Sequence, residues 1–446
     1  MEGLIAAVVA GLLWRAYGLR PGAVAVWLAP LPLLLVAPRV AWPVAVGAAA
    51  LAWLIGQSGM WTYYTRDIQI PRPVVAAMFL AGAAGAAATV GLARAHLVAG
   101  HAVLGAFAAP VAWAAMEFLI ARWSPHGAWS SLAYSQADHP LALQVAAVTG
   151  VWGVTAQLLL PASAVAALVA SREWAAVVPA VVLLVVLATH AYWRTRRHTP
   201  GRTLRVGLVA VDGPDLPVPL VEAEGADLVR RYVEGARGLV ERRADVVVLP
   251  EAVWTIDGDD RLKPFAGLGA PVVVGAIRVD QNGSVNAAVI HADGPPVEYH
   301  KQHLLPGLES AHRPGRDLVL LPGEPTVGVA ICKDLDFPAL ARAYRRAGAA
   351  ALLVPAWDFA RDGWLHSRMA VLRGVEAGLA VARVARRGRA TVSDATGRVL
   401  AETDTMAGAV LDAELPLDAA PTPYARWGDW FGWACVAATV ALMVAA

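Results

Sequence analysis

Long apolar stretches dominate the first 200 residues of the chain, and Arg, Pro, Gly or His residues separate them. A helix that crosses a membrane needs about 20 consecutive apolar residues. The pattern therefore predicts seven membrane helices, of which the first two are short. The predicted spans are 3–19, 22–37, 40–59, 73–93, 100–121, 142–170 and 174–193. Another apolar stretch, 430–446, predicts an eighth helix.

After residue 200 the pattern changes to short apolar runs that alternate with helical periodicity. Runs of Val, Ile, Ala and Leu are typical of strands that are buried on both faces. The predicted strands are 204–211, 244–251, 271–279, 285–292, 326–333 and 349–357, and the predicted helices are 222–243, 337–348 and 365–378. This order predicts an α/β sandwich whose strands end at a common edge, where catalytic groups usually collect.

Composition supports a membrane protein with a separate polar part. Hydrophobic residues make up 57% of the 446 residues and charged residues 16%, against roughly 25% charged residues in soluble domains. The predicted organisation is a transmembrane bundle at 1–198, a catalytic domain at 199–418 and a transmembrane helix at 419–446. A cleaved signal peptide is disfavoured for the first stretch, because several spans follow it and no basic segment precedes it. The net charge of +2 gives no support for binding nucleic acid.

Cysteine and lysine are both rare in this chain. Two cysteines exclude a disulfide framework, and Cys435 in an apolar stretch is best explained as a small hydrophobic residue. Lysine occurs only at positions 263, 301 and 333, whereas arginine is common. A lysine retained in such a chain indicates a task that suits a compact ammonium group, such as a place beside a reactive centre.

Three ionisable residues lie at or just after strand-like runs: Glu251, Lys301, which follows "VEYH", and Cys332. A cysteine nucleophile needs a base, since a free thiol is mostly neutral at pH 7. A buried carboxylate with a raised pKa can be that base, and a nearby cation can stabilise the oxyanion that forms. Each residue alone also has an ordinary explanation, as a core cysteine, a carboxylate near a helix start or a solvated lysine. Their common position at strand ends favours the catalytic interpretation.

Several segments resemble one known family. "PEAVW" (250–254), "KQHLLPGLE" (301–309) and "ICKDLDFP" (331–338) are similar to the catalytic segments of the nitrilase superfamily. "EFLIARW" (117–123) and "TPYARWGDW" (422–430) are similar to the membrane part of its membrane-embedded branch, the apolipoprotein N-acyltransferases. The resemblance extends over nearly the whole chain. It implies a multi-span α-helical membrane bundle of about eight helices plus a nitrilase-like αββα sandwich domain.

The resemblance implies a role for each polar residue of these segments. Glu251 would be the general base, Lys301 the oxyanion stabiliser, Cys332 the nucleophile and Glu309 the residue that orients the lysine. The implied reaction moves an acyl chain from a phospholipid, through a Cys332 thioester, to the α-amine of a diacylglyceryl-cysteine lipoprotein. The expected partners are the phospholipid donor, the lipoprotein acceptor and membrane lipids. No cofactor is expected, and the protein is expected to be a monomer.

Further residues of these segments are predicted to bind substrate. The expected substrate-binding residues are Trp254, Lys333, Asp334, Trp357 and Trp364. Core packing is the alternative explanation for the tryptophans. Lys333 departs from the family, which usually has an aromatic residue after the nucleophile. No metal is expected, since no metal-ligand spacing accompanies the histidines at 126 and 139.

Three alternatives remain open from the sequence. A membrane-anchored amidase would resolve the acyl-enzyme with water, a relative could acylate a different amine, and an inactive relative would only bind lipid. The expected location is the bacterial plasma membrane with the catalytic domain on the extracytoplasmic face. The arginines between the predicted helices favour the opposite orientation, because more of them then lie on the cytoplasmic side.

Overall fold

The computed structural model describes residues 2–196, 201–257, 262–292, 294–321, 323, 326–417 and 419–446. The chain divides into two compact units. The first comprises Met1–Ser124, Ala128–Arg196 and Trp427–Ala446, and the second comprises Pro125–Gly127 and Arg197–Arg426. The predicted domain boundaries at 198/199 and 418/419 involve residues outside the described ranges.

The regular structure described for the first unit is helical. Its helices before the second unit are α1 Glu2–Ala16, α2 Ala23–Leu28, α3 Pro30–Val36, α4 Trp42–Gln57, α5 Arg72–Val98, α6 Ala102–Trp123, α7 Pro140–Leu143, α8 Ala146–Thr149, α9 Val151–Ser171 and α10 Val178–Arg196. A last helix, Trp430–Ala445, follows the second unit. The predicted span 22–37 is divided between α2 and α3, because Pro30 has no N–H group to continue the helical hydrogen bonds.

Five helical segments within the described residues are long and apolar enough to cross a membrane. They are Trp42–Met60, Arg72–Val98, Ala102–Trp123, Val151–Ser171 and Trp174–Arg196. The apolar helices at Ala23–Arg39, Pro140–Thr149 and Trp430–Ala445 are shorter. The membrane character of this unit is therefore confirmed, whereas the count of eight spans stays a prediction.

Helix α10 presents apolar side chains outward. Val181, Val182 and Val185 on this helix are exposed, which suits contact with lipid tails rather than water. Trp174 and Trp193, near the two ends of the segment, are exposed as well. Tryptophan is enriched where a membrane meets water, so both ends have the composition of an interfacial anchor.

Glu117 on α6 is buried inside the helical unit and accepts four hydrogen bonds. Trp113 Nε1 and the Leu132 backbone N–H donate to one oxygen at 3.0 Å each. The hydroxyls of Ser131 and Thr155 donate to the other at 2.7 Å each. An unpaired carboxylate is expensive inside a membrane. These donors explain how the bundle accommodates it, and they connect α6, α9 and the segment between them.

The C-terminal helix packs directly against α6. The Phe118 ring lies 5.0 Å from the Trp433 ring and 5.5 Å from the Trp152 ring, both edge to face. A Cβ atom at Gly432 would come within 2.6 Å of Phe118, so only glycine allows this approach. Cys435 on the same helix is buried among apolar side chains, which confirms its prediction as a small hydrophobic residue.

Within its described residues the second unit contains two sheets and four helices. Its strands are β1 Thr203–Ala210, β2 Val218–Pro219, β3 Val246–Val248, β4 Trp254–Asp257, β5 Val272–Asp280, β6 Gly283–His291, β7 Val297–His300, β8 Val319–Leu321, β9 Val327–Val329, β10 Ala351–Trp357, β11 Ala380–Arg386, β12 Arg389–Ser393, β13 Val399–Asp404 and β14 Ala409–Pro416. Its helices are α11 Ala223–Glu241, α12 Pro338–Arg346, α13 Gly363–Ala377 and α14 Pro423–Trp427.

The strands form one eight-stranded and one six-stranded sheet. The first has the order β14-β1-β3-β5-β4-β2, with β6 paired to β5 and β7 paired to β6, and the second has the order β13-β12-β11-β10-β9-β8. Strands β1, β3, β5 and β4 run parallel, as do β9, β10 and β11. Parallel strands bring their carboxyl ends to one edge of each sheet, and the site described below lies there.

Apolar side chains between the layers hold this unit together. One core joins Val206 and Leu208 of the first sheet to Leu352 and Val384 of the second. A separate core packs α11 on the outer face of the first sheet, while α12 and α13 contribute to the core of the second. The predicted αββα sandwich is confirmed.

Candidate active site

Lys301 is the centre of a buried cluster with two carboxylates. The residue follows β7, is only 3% exposed, and its Nζ lies 2.7 Å from Glu251 Oε1. The same Nζ lies 3.0 Å and 2.8 Å from the two carboxylate oxygens of Glu309. The structure therefore brings together three of the four residues that the sequence placed in catalytic roles.

The two carboxylates differ in how many donors they receive. Glu309 accepts from Lys301 with both oxygens, from Asn286 with Oε1 at 2.7 Å and from the Leu305 N–H with Oε2 at 2.7 Å. Among the described residues, Glu251 accepts from Lys301 and Asn286 only, both at Oε1 and both at 2.7 Å. One carboxylate is thus saturated with donors, and the other is not.

This difference separates the pKa values of the two groups. Burial raises the pKa of Glu251, with Lys301 opposing and Glu309 adding to the rise. Burial also disfavours charge on Glu309, but Lys301 and the Leu305 N–H outweigh it and lower the pKa of Glu309. Two carboxylates with separated pKa values can take different roles. Glu251 suits a base that gains and loses a proton, and Glu309 suits a permanent anion that holds Lys301.

Cys332 begins a single 3₁₀ turn, Cys332–Asp336, directly after β9. Its φ angle is +43°, in the left-handed region that non-glycine residues seldom adopt. Such strain persists only where the surroundings enforce it, and it is frequent at functional sites. Asp334 enforces the turn: its carboxylate accepts from the Ile331 N–H at 3.1 Å and its own N–H donates to the Ile331 carbonyl at 2.9 Å.

Asp334 also connects this turn to the lysine segment. Its Oδ1 accepts the backbone N–H groups of Gln302 at 3.1 Å and His303 at 2.9 Å, and its Oδ2 accepts the Tyr299 hydroxyl at 2.6 Å. Asp334 is fully buried. Through these contacts Asp334 fixes the position of the cysteine turn relative to the segment that follows Lys301. Substrate binding by Asp334 stays a prediction.

The Cys332 thiol is a neutral group at rest. Burial raises its pKa well above the ordinary value, Glu251 adds to the rise, and Lys301 and Arg383 oppose it. Its Sγ lies 3.5 Å from the Trp357 carbonyl oxygen, to which it donates. A thiol with a raised pKa reacts only if a base removes its proton. Glu251 is the unsaturated carboxylate whose charge acts on this thiol.

Asn286 belongs to this cluster and was not identified from the sequence. It is only 2% exposed, and its amide nitrogen donates to both Glu251 and Glu309. The available signal was weak: one amide inside the apolar run of a predicted strand. A polar residue in a strand that is buried on both faces requires partners, and the two carboxylates are the partners of the Asn286 amide nitrogen.

A second group of charges lies on the Cys332 side of the site. Arg383 on β11 pairs with both carboxylate oxygens of Asp358, and His366 Nδ1 lies 3.2 Å from Asp358 and 3.5 Å from Asp362. All four residues are buried or nearly so. The pKa of His366 is raised to about 10 because the two carboxylates outweigh the effect of burial. The histidine is therefore an imidazolium at neutral pH.

Asp358, Asp362 and His366 also have the spacing of metal ligands, with one atom from each within 4.8 Å of the others. Metal binding requires a neutral imidazole and available carboxylate oxygens. Here the imidazole is protonated and Arg383 occupies both oxygens of Asp358. Two carboxylates and two cations balance each other's charge, so the group suits an ion-pair network better than a metal site.

The tryptophans predicted to bind substrate have different environments. Trp254 is fully buried, with its ring 5.2 Å from Tyr232 and its Nε1 donating to the Gly225 carbonyl. The structure places it in the core beneath α11 and does not bring it into the Lys301 cluster. Trp357 is only partly buried and adjoins Cys332 through its carbonyl. Trp364 is 8% exposed, with the Arg368 guanidinium 5.5 Å from its ring.

Lys333 has a buried partner of its own. Its Nζ lies 3.2 Å from Asp336 and 5.4 Å from the centre of the Phe337 ring. Both charged side chains are about 6% exposed. The ion pair explains how a lysine fits at a position where the family usually has an aromatic residue. Substrate binding by Lys333 stays a prediction.

Matches to two family models agree with this arrangement. Residues 6–164 match the apolipoprotein N-acyltransferase N-terminal domain, and residues 208–422 match the carbon-nitrogen hydrolase family. The chain is 28% identical over 378 residues to the apolipoprotein N-acyltransferase of Geobacter metallireducens, with 74% of this chain and 71% of the relative covered. The chain is thus similar to the apolipoprotein N-acyltransferases over most of its length.

A second relative carries the same name. The chain is 25% identical to the apolipoprotein N-acyltransferase of Vibrio vulnificus, with 75% of this chain and 74% of the relative covered. The crystal structure of XC1258 from Xanthomonas campestris, a CN-hydrolase superfamily protein, covers 48% of this chain and 91% of its own at 20% identity and a TM-score of 0.42. The apolar helices and the curated relatives together identify a bacterial membrane protein of an acyltransferase family.

Proposed function

We propose that this protein transfers an acyl chain from a phospholipid to the α-amine of a diacylglyceryl-cysteine at the N-terminus of a lipoprotein. The single observation that supports this most is the cluster in which one buried lysine contacts both an unsaturated and a saturated carboxylate, with a strained cysteine close enough for these charges to act on its thiol. That cluster supplies a base, a cation and a nucleophile. The membrane helices supply access to a donor that resides in the bilayer.

The first half of the reaction forms an acyl-enzyme. Glu251 accepts the proton of the Cys332 thiol, and the thiolate attacks the carbonyl carbon of the sn-1 ester. The oxyanion that forms is stabilised by the Lys301 ammonium. Collapse breaks the ester C–O bond, and Glu251 returns its proton to the departing alkoxide. The products are a thioester on Cys332 and a lysophospholipid.

The second half uses the same groups in the opposite direction. The neutral α-amine of the acceptor attacks the thioester carbonyl carbon and loses a proton to Glu251. Collapse of the tetrahedral intermediate breaks the C–S bond and leaves an amide. Glu251 then protonates the Cys332 thiolate, so the enzyme ends in its initial state. Glu309 stays ionised throughout and keeps Lys301 charged and oriented.

A membrane location follows from the cost of moving the donor. Each CH₂ group of an acyl chain loses about 0.8 kcal/mol of favourable burial when it enters water. A phospholipid therefore stays in the bilayer, and an enzyme that consumes it must reach it there.

Product analysis tests the proposed transfer. Incubation of the protein with a phospholipid and a diacylated lipopeptide should yield N-acylated lipopeptide and lysophospholipid in equal amounts. A matched lipopeptide whose α-amine is blocked by acetylation should not receive the acyl chain. Free fatty acid without amide would instead identify the hydrolytic alternative, in which water resolves the acyl-enzyme.

The proposed orientation places the catalytic domain outside the cytoplasm, and surface labelling tests it. A cysteine in the 255–265 loop would serve, but residues 258–261 lie outside the described ranges, so Glu234 on α11, which is exposed, is the better position. In a Cys332→Ala, Cys435→Ala background, Glu234→Cys should react with a membrane-impermeant thiol reagent in intact cells. Ala99→Cys, in the exposed turn between α5 and α6, is the control and should react only after lysis. The reverse labelling would support the orientation favoured by the arginines.

A further inference from the structure

Asn286 occupies the middle of the Lys301 cluster. Its Nδ2 lies 2.7 Å from Glu251 Oε1 and 2.7 Å from Glu309 Oε1. An amide nitrogen has two hydrogens, so each carboxylate receives one of them. The backbone carbonyl of Asn286 accepts the Lys301 N–H at 2.9 Å. One residue of β6 thus contacts both carboxylates and the segment that positions the lysine.

The two donors to Glu251 end on the same oxygen. Lys301 Nζ and Asn286 Nδ2 both reach Oε1, and within the described residues no hydrogen bond to Oε2 is formed. An oxygen that already accepts two charge-assisted hydrogen bonds is a poor proton acceptor, since protonation would have to displace a donor. Oε2 is the oxygen that remains able to take a proton.

We propose that Asn286 is a positioning residue that orients the Glu251 carboxylate, so that Oε2 faces the Cys332 thiol and takes its proton while Oε1 stays bound to Lys301. Asn286 acts through Glu251 and touches no reacting atom. The inference rests on the proposed role of Glu251 as the base. It adds that the thiol proton goes to Oε2 of Glu251 and that Asn286 is the residue that leaves this oxygen available.

The amide also opposes the sharing of one proton between the two carboxylates. Two carboxyl groups beside each other tend to share one proton. An amide that donates one hydrogen to each favours the ionised form of both, as does Lys301. Besides Glu251, the titratable groups that interact electrostatically in this region are Lys301, Glu309, Cys332, His312, Arg383 and Asp358.

Loss of the amide has a definite effect on pH dependence. The Asn286 hydrogen bond lowers the pKa of Glu251 against the rise caused by burial, so its removal raises that pKa further. A base works only when ionised, and activity therefore falls as the pH falls through its pKa. The acid limb of the pH–rate profile should therefore move to higher pH by about one to two units. A shift of that size corresponds to the free energy that a hydrogen bond to a charged group contributes.

Alkylation of Cys332 by iodoacetamide measures this without any lipid. The rate is recorded across about pH 5 to 9 in the full-length Cys435→Ala protein, with Asn286→Ala and the isosteric Asn286→Asp as variants. Both variants should show a raised midpoint and about tenfold slower alkylation near neutral pH. Asn286→Asp should shift at least as far, because it adds a third carboxyl group. Asn282→Ala, in the exposed turn that precedes β6, is the matched control and should leave the profile unchanged.

An unchanged midpoint in the variants would overturn the proposal. The proposal would also be overturned if the variants contained a smaller fraction of reactive thiol but kept the pH midpoint of the unaltered protein. That result is expected of a residue that only stabilises the fold. Failure of both variants to fold would overturn it as well, because Asn286 would then be required for stability. A shifted midpoint in a protein that forms no acylated product would uphold the role of Asn286 and overturn the proposed function instead, so the two claims fail separately.

Discussion

Replacing Cys332 with alanine is expected to abolish acylation of the protein and of the acceptor. The variant lacks the only atom of the cluster that can form a thioester, and loss of a nucleophile typically reduces the rate by about 10⁴-fold or more. Incorporation of a labelled acyl chain from phospholipid into the protein is the measurement. The fold should be preserved, because alanine removes a single sulfur atom from a residue that is only partly buried.

Cys435→Ala is the matched control for this experiment. Cys435 is buried in the C-terminal helix next to Ala114 and Ala115, and a buried thiol in apolar surroundings is unreactive. The control should incorporate the acyl chain as the unaltered protein does. Full incorporation in the Cys332→Ala protein would disprove the nucleophile assignment.

The second large effect is expected for Lys301→Arg, although it preserves the charge. Lys301 is 3% exposed and reaches three carboxylate oxygens within 3.0 Å. A guanidinium is planar and larger than an ammonium, so it cannot occupy this space without displacing Glu251 or Glu309. Removing one oxyanion donor costs about 10²–10³ in rate. We expect a loss at least that large in the initial rate of N-acylation.

Lys263→Arg provides the comparison, since Lys263 is exposed and is one of only three lysines in the chain. That variant should retain nearly full activity at matched expression. If Lys301→Arg were equally active, the lysine would be an ordinary charge and the assignment of the oxyanion stabiliser would be wrong.

Residues at strand ends were the ones that the sequence could identify. Glu251 and Cys332 each end an apolar run and Lys301 follows the short strand-like run "VEYH", and a chemistry-bearing residue at such a place stands out. Parallel strands then bring the ends to one edge, so proximity could be anticipated without coordinates. The individual catalytic roles of these residues remain proposals that rest on the contacts in the structure.

Asn286 was not identifiable in the same way, because its importance depends on strand register. The pairing of Ala287 with His300 places Asn286 beside Lys301, and no local pattern encodes that pairing. Arg383 illustrates a related difficulty. Arginines are normally solvated, yet Arg383 on β11 is buried because Asp358 neutralises it. A charged residue that is buried because of a partner far away in the sequence leaves no periodic pattern of apolar residues. In addition, no strand was predicted after residue 357.

The membrane part was predictable in kind rather than in detail. Apolar length identified the helices α4, α5, α6, α9 and α10. The predicted span 142–170 is interrupted, since Gly150 has a φ angle of +73° and the long helix begins only at Val151. Hydropathy reports how apolar a stretch is, and a glycine or proline that redirects the backbone changes that value very little.

The most direct test of the proposed acyl transfer is peptide-level mass spectrometry of the purified protein after incubation with phospholipid alone. We expect one added acyl chain, attached through a thioester to the peptide that contains Cys332, and its release as an amide when a diacylated lipopeptide is added. An adduct on any other residue would contradict this mechanism. So would an adduct on Cys332 that the lipopeptide amine does not remove.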